Sequence, residues 1–548
     1  MVRIKFIILF LLLVLPFFLE AQSNRYIVYL KDKSGTPFSI TNPSQFLSQR
    51  AIQRRANQKI TITEEDLPVN PTYVTQLKAT GANVFFTSKW LNCVLVETTP
   101  AILSTVIAQS YVIRTELVAP GKKLTSGRIK KFNRIKRTSS SLATDFQLNM
   151  IGIDSMHRDG YKGEGISLAV FDSGFDGVNT ALPFKSIFQE GRLNYSVDFI
   201  ANTKNVFQYD SHGTEVFSVI AADSPGSFTG GAYKATFSLF VTEDVASEYR
   251  IEEYNWLFAA EKADSIGVDV INSSLGYNEF DDTSMNYKAS DLNGNTAIIS
   301  IAAKKTIQKG MMVVCSAGNE GTNSWKFVAP PADVDGVLAI GSVTATKTRS
   351  SFSSFGPTAD GRIKPDVMAF GSGVSVINPN GTLGTASGTS LSSPLVASLV
   401  AGTWQRYPNL KATELYQAII NSGDQFAKPD NSKGYGIPNY LAVKGFLDPV
   451  KIPVKDDQAT INLDEQLVVY PNPTNDTINF SLSLSLSQEQ SVDISIYDLQ
   501  GKLLIHKNLK FQVQNNSQSI DLTSISAGLY IIKAKVKDSL KVIRLIKL

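Results

Sequence analysis

The chain has 548 residues, 43% apolar and 10% aromatic, with a formal net charge of +4. At about 100–200 residues per domain, that length fits three or so globular domains. The small net charge argues against nucleic acid as a partner, and two cysteines cannot form a disulfide framework.

The N-terminus reads "MVRIKFIILFLLLVLPFFLEAQSN". Arg3 and Lys5 precede an apolar run, Phe6 to Phe18, that is short of the ~20 residues a membrane span needs. A small residue, Ala21, follows. The pattern predicts a cleaved secretory signal over 1–21; a membrane anchor is the alternative reading. Residues 22–120 alternate strand-like and helix-like pieces: a strand at 25–32, a helix at 42–58 with Asn42 as cap, two strands within 83–99, a helix at 100–110 and a strand at 111–117. They predict a small α+β domain. The basic, Ser-bearing segment 121–144 contains "GRIKKFNRIKR" (127–137) and reads as an exposed linker, or alternatively as a binding patch.

From 145 to 446 continuous apolar runs (166–172, 236–242, 267–275, 310–317, 337–343) alternate with helical stretches such as 213–222 and 250–265. That pattern predicts an α/β domain with a mainly parallel sheet covered by helices on both faces. A polar linker at 447–465 leads into 466–548, whose short alternating runs and turn signals predict a β-sandwich.

Within the α/β region, "ISLAVFDSGFDG" (166–177) is a buried strand ending in Asp172, where a carboxylate can hold an imidazole, although strand-Asp-turn is also ordinary turn chemistry. Of the three histidines, His157 lies in a polar segment and His506 in the C-terminal region. His212, in "YDSHGTEVFSVIAA", leads into an apolar helix and is the best placed for base chemistry; a surface or capping histidine is the alternative. Asn319 in "VVCSAGNEG" follows an apolar strand, where its amide can donate to an oxyanion or simply make a turn. In "SGTSLSSP", Gly388 permits close backbone approach and Ser390 opens an apolar helix with its N–H directed outward. Pro394 is expected in or near the first turn. Cys315 sits in an apolar run and reads as a small buried hydrophobe.

Together the motifs "FDSG", "HGTEV", "SAGNEG" and "GTSLSSP", in this order, resemble the subtilisin-like serine protease family. The resemblance implies Asp172 as orienter, His212 as general base, Ser390 as nucleophile and Asn319 as oxyanion donor. It implies that Ser274, Leu275 and Gly276, with Ala317 and Gly318, line the bound polypeptide. It further implies a secreted endopeptidase, acting as a monomer, whose chemistry needs no cofactor. The segment "ADSPGSFTGGA" does not resemble the family's calcium loop, which leaves a structural metal open. Phe171 and Glu215 depart from the commoner residues beside the Asp and His motifs. In position and layout 22–120 is similar to the family's prodomains, with maturation cleavage expected in 121–144; a permanent accessory domain is the alternative. The C-terminal "VVYPNPTNDTINF", "IYDLQGKLL" and "AGLYIIKAKV" resemble type IX sorting domains of Bacteroidota, which implies export by that machinery. A secreted adhesive or binding protein on an inert protease scaffold is the rival reading.

Overall fold

The computed structural model describes residues 22–121, 143–448, 467–482, 490–511, 517–536 and 539–548. The expected signal segment 1–21, and nearly all of the expected linkers 121–144 and 447–465, lie outside the described residues. Among the described residues no helix is long and apolar enough to cross a membrane. The chain divides into two compact units. One is residues 1–424 with 430–443, and the other is 425–429 with 444–548.

The N-terminal region is a four-stranded antiparallel sheet, β1 (Asn24–Leu30), β2 (Asn83–Ser88), β3 (Cys93–Thr98) and β4 (Val112–Pro120), in the order β2-β3-β1-β4. Helices α1 (Gln49–Asn57), α2 (Pro71–Ala79) and α3 (Pro100–Ile107) accompany it. The helix expected at 42–58 is broken. Pro43–Gln45 forms a separate short turn, and Asn42 Oδ1 accepts from the Ser44 hydroxyl at 2.8 Å instead of capping the backbone. The α-helix starts six residues later, where Ser48 Oγ accepts from Ala51 N at 3.1 Å. The helix α2, which starts on Pro71, was not expected.

The α/β region is built on a seven-stranded sheet in which every pairing is parallel. Its strands are β5 (Ser167–Asp172), β6 (Leu193–Asp198), β7 (Thr236–Val241), β8 (Val270–Ser273), β9 (Met312–Ser316), β10 (Leu338–Val343) and β11 (Val367–Phe370), in the order β11-β10-β9-β8-β5-β7-β6. Every residue of β5, β8, β9 and β10 is buried, so these strands read as unbroken apolar runs rather than alternating ones. β6 and β11 were not expected: β6 lies at one sheet edge and is mostly half-buried, and β11 is four buried apolar residues at the other edge. Helices α4 (His212–Ala221), α5 (Ile251–Ile266), α6 (Ile298–Gln308) and α7 (Thr389–Arg406) connect and cover the sheet. An antiparallel hairpin, β12 (Ser372–Ile377) and β13 (Leu383–Ser387), delivers the chain to α7.

The segment after α4 that was compared with a calcium loop folds as a small hairpin, Asp223–Ser224 against Phe228–Thr229. Phe171, large for its position, is fully buried in edge-to-face contact with Phe240 and Trp256, at centroid distances of 5.2 and 5.3 Å.

The C-terminal unit contains two antiparallel sheets. β14 (Leu467–Tyr470), β15 (Thr477–Leu482) and β18 (Ser517–Asp521) form one; β16 (Gln490–Tyr497), β17 (Leu503–Phe511), β19 (Gly528–Val536) and β20 (Ser539–Lys547) form the other. Ile478, Phe480 and Ile520 of the first sheet and Val492, Ile494 and Ile532 of the second share one buried core, as a sandwich requires.

Candidate active site

Three of the expected residues stand at the ends of elements that the sheet brings together. Asp172 is the last residue of β5 and is fully buried. His212 is the first residue of α4, 7% exposed. Its Nδ1 lies 2.7 Å from Asp172 Oδ1. Close approach of these elements depends on Gly213. A Cβ there would lie 2.2 Å from the Gly174 carbonyl oxygen and 2.9 Å from Asp172 Cβ, so no larger residue fits.

Ser390 is the second residue of α7 and 5% exposed. That helix packs against α4 and across β8 to β11, which fixes its N-terminus. The Ser390 hydroxyl donates to the Ser274 carbonyl at 3.3 Å. Pro394 is the sixth residue of α7, just past its first turn. It has no N–H to give the carbonyl four residues back, which is that of Ser390. The Ser274 hydroxyl donates to that carbonyl instead, at 2.9 Å. The proline thus frees the bond by which the Ser274 strand end is tied to the Ser390 backbone.

The neighbouring serines are committed elsewhere. Ser392 Oγ donates to the Ala369 and Phe370 carbonyls, and Ser393 Oγ to Asn272 Oδ1 at 2.8 Å. Both are fully buried. Ser387 Oγ accepts from Gly373 N at 2.9 Å.

Asn319 reaches the same helix mouth. Its Oδ1 accepts from Thr389 N at 2.9 Å and from the Thr389 hydroxyl at 3.1 Å. The amide oxygen is thus taken up by the first residue of α7, and Nδ2 donates to no described residue. The Ser390 N–H is one of the first-turn groups that an α-helix cannot satisfy internally.

The electrostatics follow from burial and proximity. Burial disfavours the imidazolium of His212, but the Asp172 carboxylate overrides it, with smaller help from Glu243 and Asp210. The ring is pushed up to about 9. Burial raises the Asp172 carboxyl above its usual range, against the attraction of His212. The other histidines do different work: His157 is held against the Gly231 carbonyl at 2.8 Å, and His506 meets Ser495 in the C-terminal sandwich. Cys315 is fully buried and burial pushes its thiol far up, so it is an inert hydrophobe.

Gly276 makes no backbone hydrogen bond with a described residue, so its N–H and C=O can pair with a polypeptide. The backbone of Ala317 and Gly318 is engaged within the chain. Ala317 N and C=O are bonded to Ile340 and Ala329, and Gly318 C=O and N–H to Ser354 N and Thr389 Oγ1. They can line a cleft but their backbone is already used.

One feature escaped the sequence analysis. Glu243, Glu248 and Glu252 present carboxylate oxygens within 4.8 Å of one another. The signal was the acid-dense stretch "TEDVASEYRIEE" (242–253), following a strand at the same end of the sheet as Asp172.

Three family models match the chain. The subtilase family covers residues 163–436, a Bacteroidota peptidase S8 propeptide domain covers 25–136, and a secretion system C-terminal sorting domain covers 468–547. Subtilisin of Bacillus pumilus is 30% identical over 268 residues, 48% of this chain and 85% of that protein. Subtilisin E of Bacillus subtilis is 30% identical over the same length, but the match spans 61% of it. Human membrane-bound transcription factor site-1 protease is 26% identical over 331 residues, 58% of this chain and 28% of that one. The structure of an epidermin leader peptide processing serine protease from Staphylococcus aureus matches with a TM-score of 0.55 at 16% identity, covering 78% of this chain and all of that one, a likeness of fold. The sorting domain marks the chain for export to the cell surface or medium through the type IX machinery. The chain belongs to the subtilase family and is a serine endopeptidase that acts on polypeptides.

Proposed function

We propose that Asp172, His212 and Ser390 form the catalytic triad of this endopeptidase. The observation that carries the reading is the buried 2.7 Å contact between Asp172 and His212 Nδ1, with α4, which His212 opens, packed against α7, which holds Ser390 as its second residue. With Nδ1 engaged by the carboxylate, base chemistry falls to Nε2. Ser390 Oγ gives its proton to Nε2 as it bonds to the peptide carbonyl carbon. The carbonyl oxygen becomes an oxyanion, held by the Ser390 N–H and by Asn319 Nδ2. His212 then returns the proton to the leaving amine, and water repeats the sequence on the acyl-enzyme. Every group in these steps is a protein side chain or backbone amide, so the reaction as proposed calls on no cofactor. Asp172 keeps the ring oriented and stabilises its positive charge.

The remaining assignments follow the same reading. Residues 1–21 are a Sec signal, 22–120 a prodomain released by cleavage in 121–144, 145–446 the catalytic domain and 466–548 the sorting domain. The mature enzyme is a monomer, and Gly276 pairs with the extended substrate backbone beside Ser274 and Leu275. Labelling with a serine-directed phosphonate tests the core of this reading. The label is expected on Ser390, and a label on Ser392 or Ser393 would overturn it.

A further inference from the structure

Ser173 directly follows Asp172 at the end of β5 and is buried. Its hydroxyl lies between two carboxylates, 2.9 Å from Asp210 Oδ2 and 3.2 Å from Asp172 Oδ1. A hydroxyl carries one hydrogen, and the shorter contact claims it. Asp172 Oδ1 is already engaged by Ser173 N at 2.8 Å and by His212 Nδ1 at 2.7 Å. Asp210 is half-buried and held from its own side. Its Oδ1 accepts from Ser211 N at 2.7 Å, and its carbonyl accepts from Asp176 N at 3.3 Å. Close by, the Val206 carbonyl accepts from Phe175 N at 3.0 Å. Gly174 permits this lacing, because a Cβ there would lie 2.3 Å from the Gln208 carbonyl oxygen. The segment after β5 and the segment before α4 are therefore stitched together, with Asp210, Ser173, Asp172 and His212 in one line of polar contacts.

We infer that Asp210 is a positioning residue of the catalytic machinery: it draws the Ser173 hydroxyl to itself and so leaves the Asp172 carboxylate to the imidazole of His212. The inference rests on the triad proposed above. Each hydrogen bond that a carboxylate accepts makes it a weaker partner for a further proton. With the Ser173 hydroxyl aimed at Asp172 Oδ1, that oxygen would receive three donors. Its hold on the imidazolium that forms as Ser390 attacks would then slacken. Asp210 adds its own negative charge to the same end. Burial lowers the imidazole, and against it the charges of Asp172, Glu243 and Asp210, in that order, raise it. Asp210 thus acts on the reaction through Ser173 and Asp172, with a direct electrostatic contribution smaller than theirs.

The test uses mature enzyme prepared from the full chain and reads the acid limb of kcat/KM against pH. Salt at ~0.5 M screens the through-space part of the Asp210 charge. Asp210→Asn keeps the shape of the side chain, and its Oδ1 still accepts from Ser211 N. Its Nδ2 then donates to the Ser173 oxygen, which turns the hydroxyl to Asp172. The limb is expected to move to lower pH by about half a unit or more, with a several-fold fall in kcat and KM unchanged. In a Ser173→Ala background the same Asn substitution should move the limb by less than half as much, because the connecting hydroxyl is gone. Ser173→Ala alone should leave the limb in place, since Asp172 loses nothing that it uses. A limb unmoved in Asp210→Asn overturns the inference. So does a shift of equal size with and without Ser173, which would mean that bare charge is all that Asp210 supplies. So does a raised KM with kcat intact, which would give Asp210 to substrate binding. Should Asp210→Asn not fold, Ser173→Ala still decides: a limb that rises there shows that the hydroxyl served Asp172, and overturns the inference. Phosphonate labelling keeps the two readings apart. A label on Ser390 with the limb unmoved in Asp210→Asn leaves the triad standing and removes Asp210 from it. A label on another serine overturns both.

Discussion

The two regions that flank the catalytic domain are built on opposite principles. In β1, alternate residues serve two cores. Val28 and Leu30 pack with Val94 and Val96 in a small core of the N-terminal region, while Ile27 and Tyr29 share a core with Cys93, Leu95 and Tyr254, Leu257 and Phe258 of helix α5 in the catalytic domain. One face of the sheet therefore completes its burial only on the catalytic domain. The C-terminal sandwich closes its core with its own residues. Charge repeats the contrast. At the N-terminal seam, Asp264 of α5 is fully buried and bonded to Arg54, Arg55 and Lys89, and Glu261 accepts from Ser88 Oγ, Lys89 N and Trp90 N. Lys309 meets Glu65 and Asp66, and Lys305 meets Glu65. Buried ion pairs add little net stability over apolar residues, but they are costly to break singly. Such a seam suits a region that must dock in one register. A sandwich with a private apolar core suits a region that must fold whatever becomes of its neighbour.

The largest expected effect separates the two flanks by chemistry. Ser390→Ala should lower peptide hydrolysis by about a millionfold, a magnitude measured on a subtilisin rather than derived from this structure. If the enzyme cuts its own propeptide, the variant keeps its N-terminal region attached, whereas the C-terminal end of the secreted chain, handled by the export machinery, is the same as in the wild type. Intact mass of the secreted variant reads both ends. Loss of the N-terminal region at the normal rate would assign that cut to another protease. Next in size is Asn319→Asp, which keeps the oxygen that caps α7 and removes the Nδ2 donor. A fall in kcat of about 100–1,000-fold, with KM little changed, is expected.

Smaller effects test the seam against the sandwich. Asp264→Ala leaves Arg54, Arg55 and Lys89 without their shared carboxylate, at a cost of about 3–5 kcal/mol. The Kd of the separate N-terminal region for the mature enzyme should rise correspondingly, by titration calorimetry. Ile494→Ala, in the sandwich core, should lower that unit's stability by about 2–5 kcal/mol in denaturant unfolding, with no change in kcat/KM. A kcat/KM that falls with Ile494→Ala would show that the sandwich is not independent.

The sequence made some of this architecture plain and hid the rest for physical reasons. Asp172, His212, Asn319 and Ser390 were legible because each sits at an element end beside small residues, a local pattern. The central strands were legible because burial on both faces makes them uniformly apolar. The edge strand β6 was not, since partial exposure erases that signature, and β11, four buried apolar residues at the other edge of the sheet, was missed although β8 is just as short. The break between Asn42 and Ser48 was invisible because both residues are good caps, and only the fold chooses between them. The use of the Ala317 and Gly318 backbone, the carboxylate cluster and the Asp264 seam all depend on residues distant in sequence coming together.

The smallest effect is a difference between two pH dependences of one molecule. His212 must be neutral to accept the Ser390 proton. The neighbouring carboxylate raises it above its ordinary 6.5, so kcat/KM should climb from neutral into mildly alkaline pH. Docking of the N-terminal region follows other groups. Asp264, Asp66 and Glu65 are held below their usual values by the lysines and arginines around them, against burial. A carboxylate whose value is depressed in the docked state contributes above its free value, ~4, and the contribution is lost only as pH falls below that. Glu261 runs the other way: burial raises its carboxyl, so any change it adds on acidification strengthens docking. Burial lowers Lys33, beside the same carboxylates, to about 8, so the comparison is made between pH 6 and 7.5: there the rate should rise by about tenfold or more while the Kd for the N-terminal region, measured on the Ser390→Ala enzyme, stays within about twofold. In Asp172→Asn the acid limb of the slower residual activity should move to lower pH, because the charge that raised the imidazole is gone. A limb that stays in place in that variant would mean another group sets it. A Kd that weakens from pH 7.5 to 6 would mean that the seam senses pH through groups other than these carboxylates.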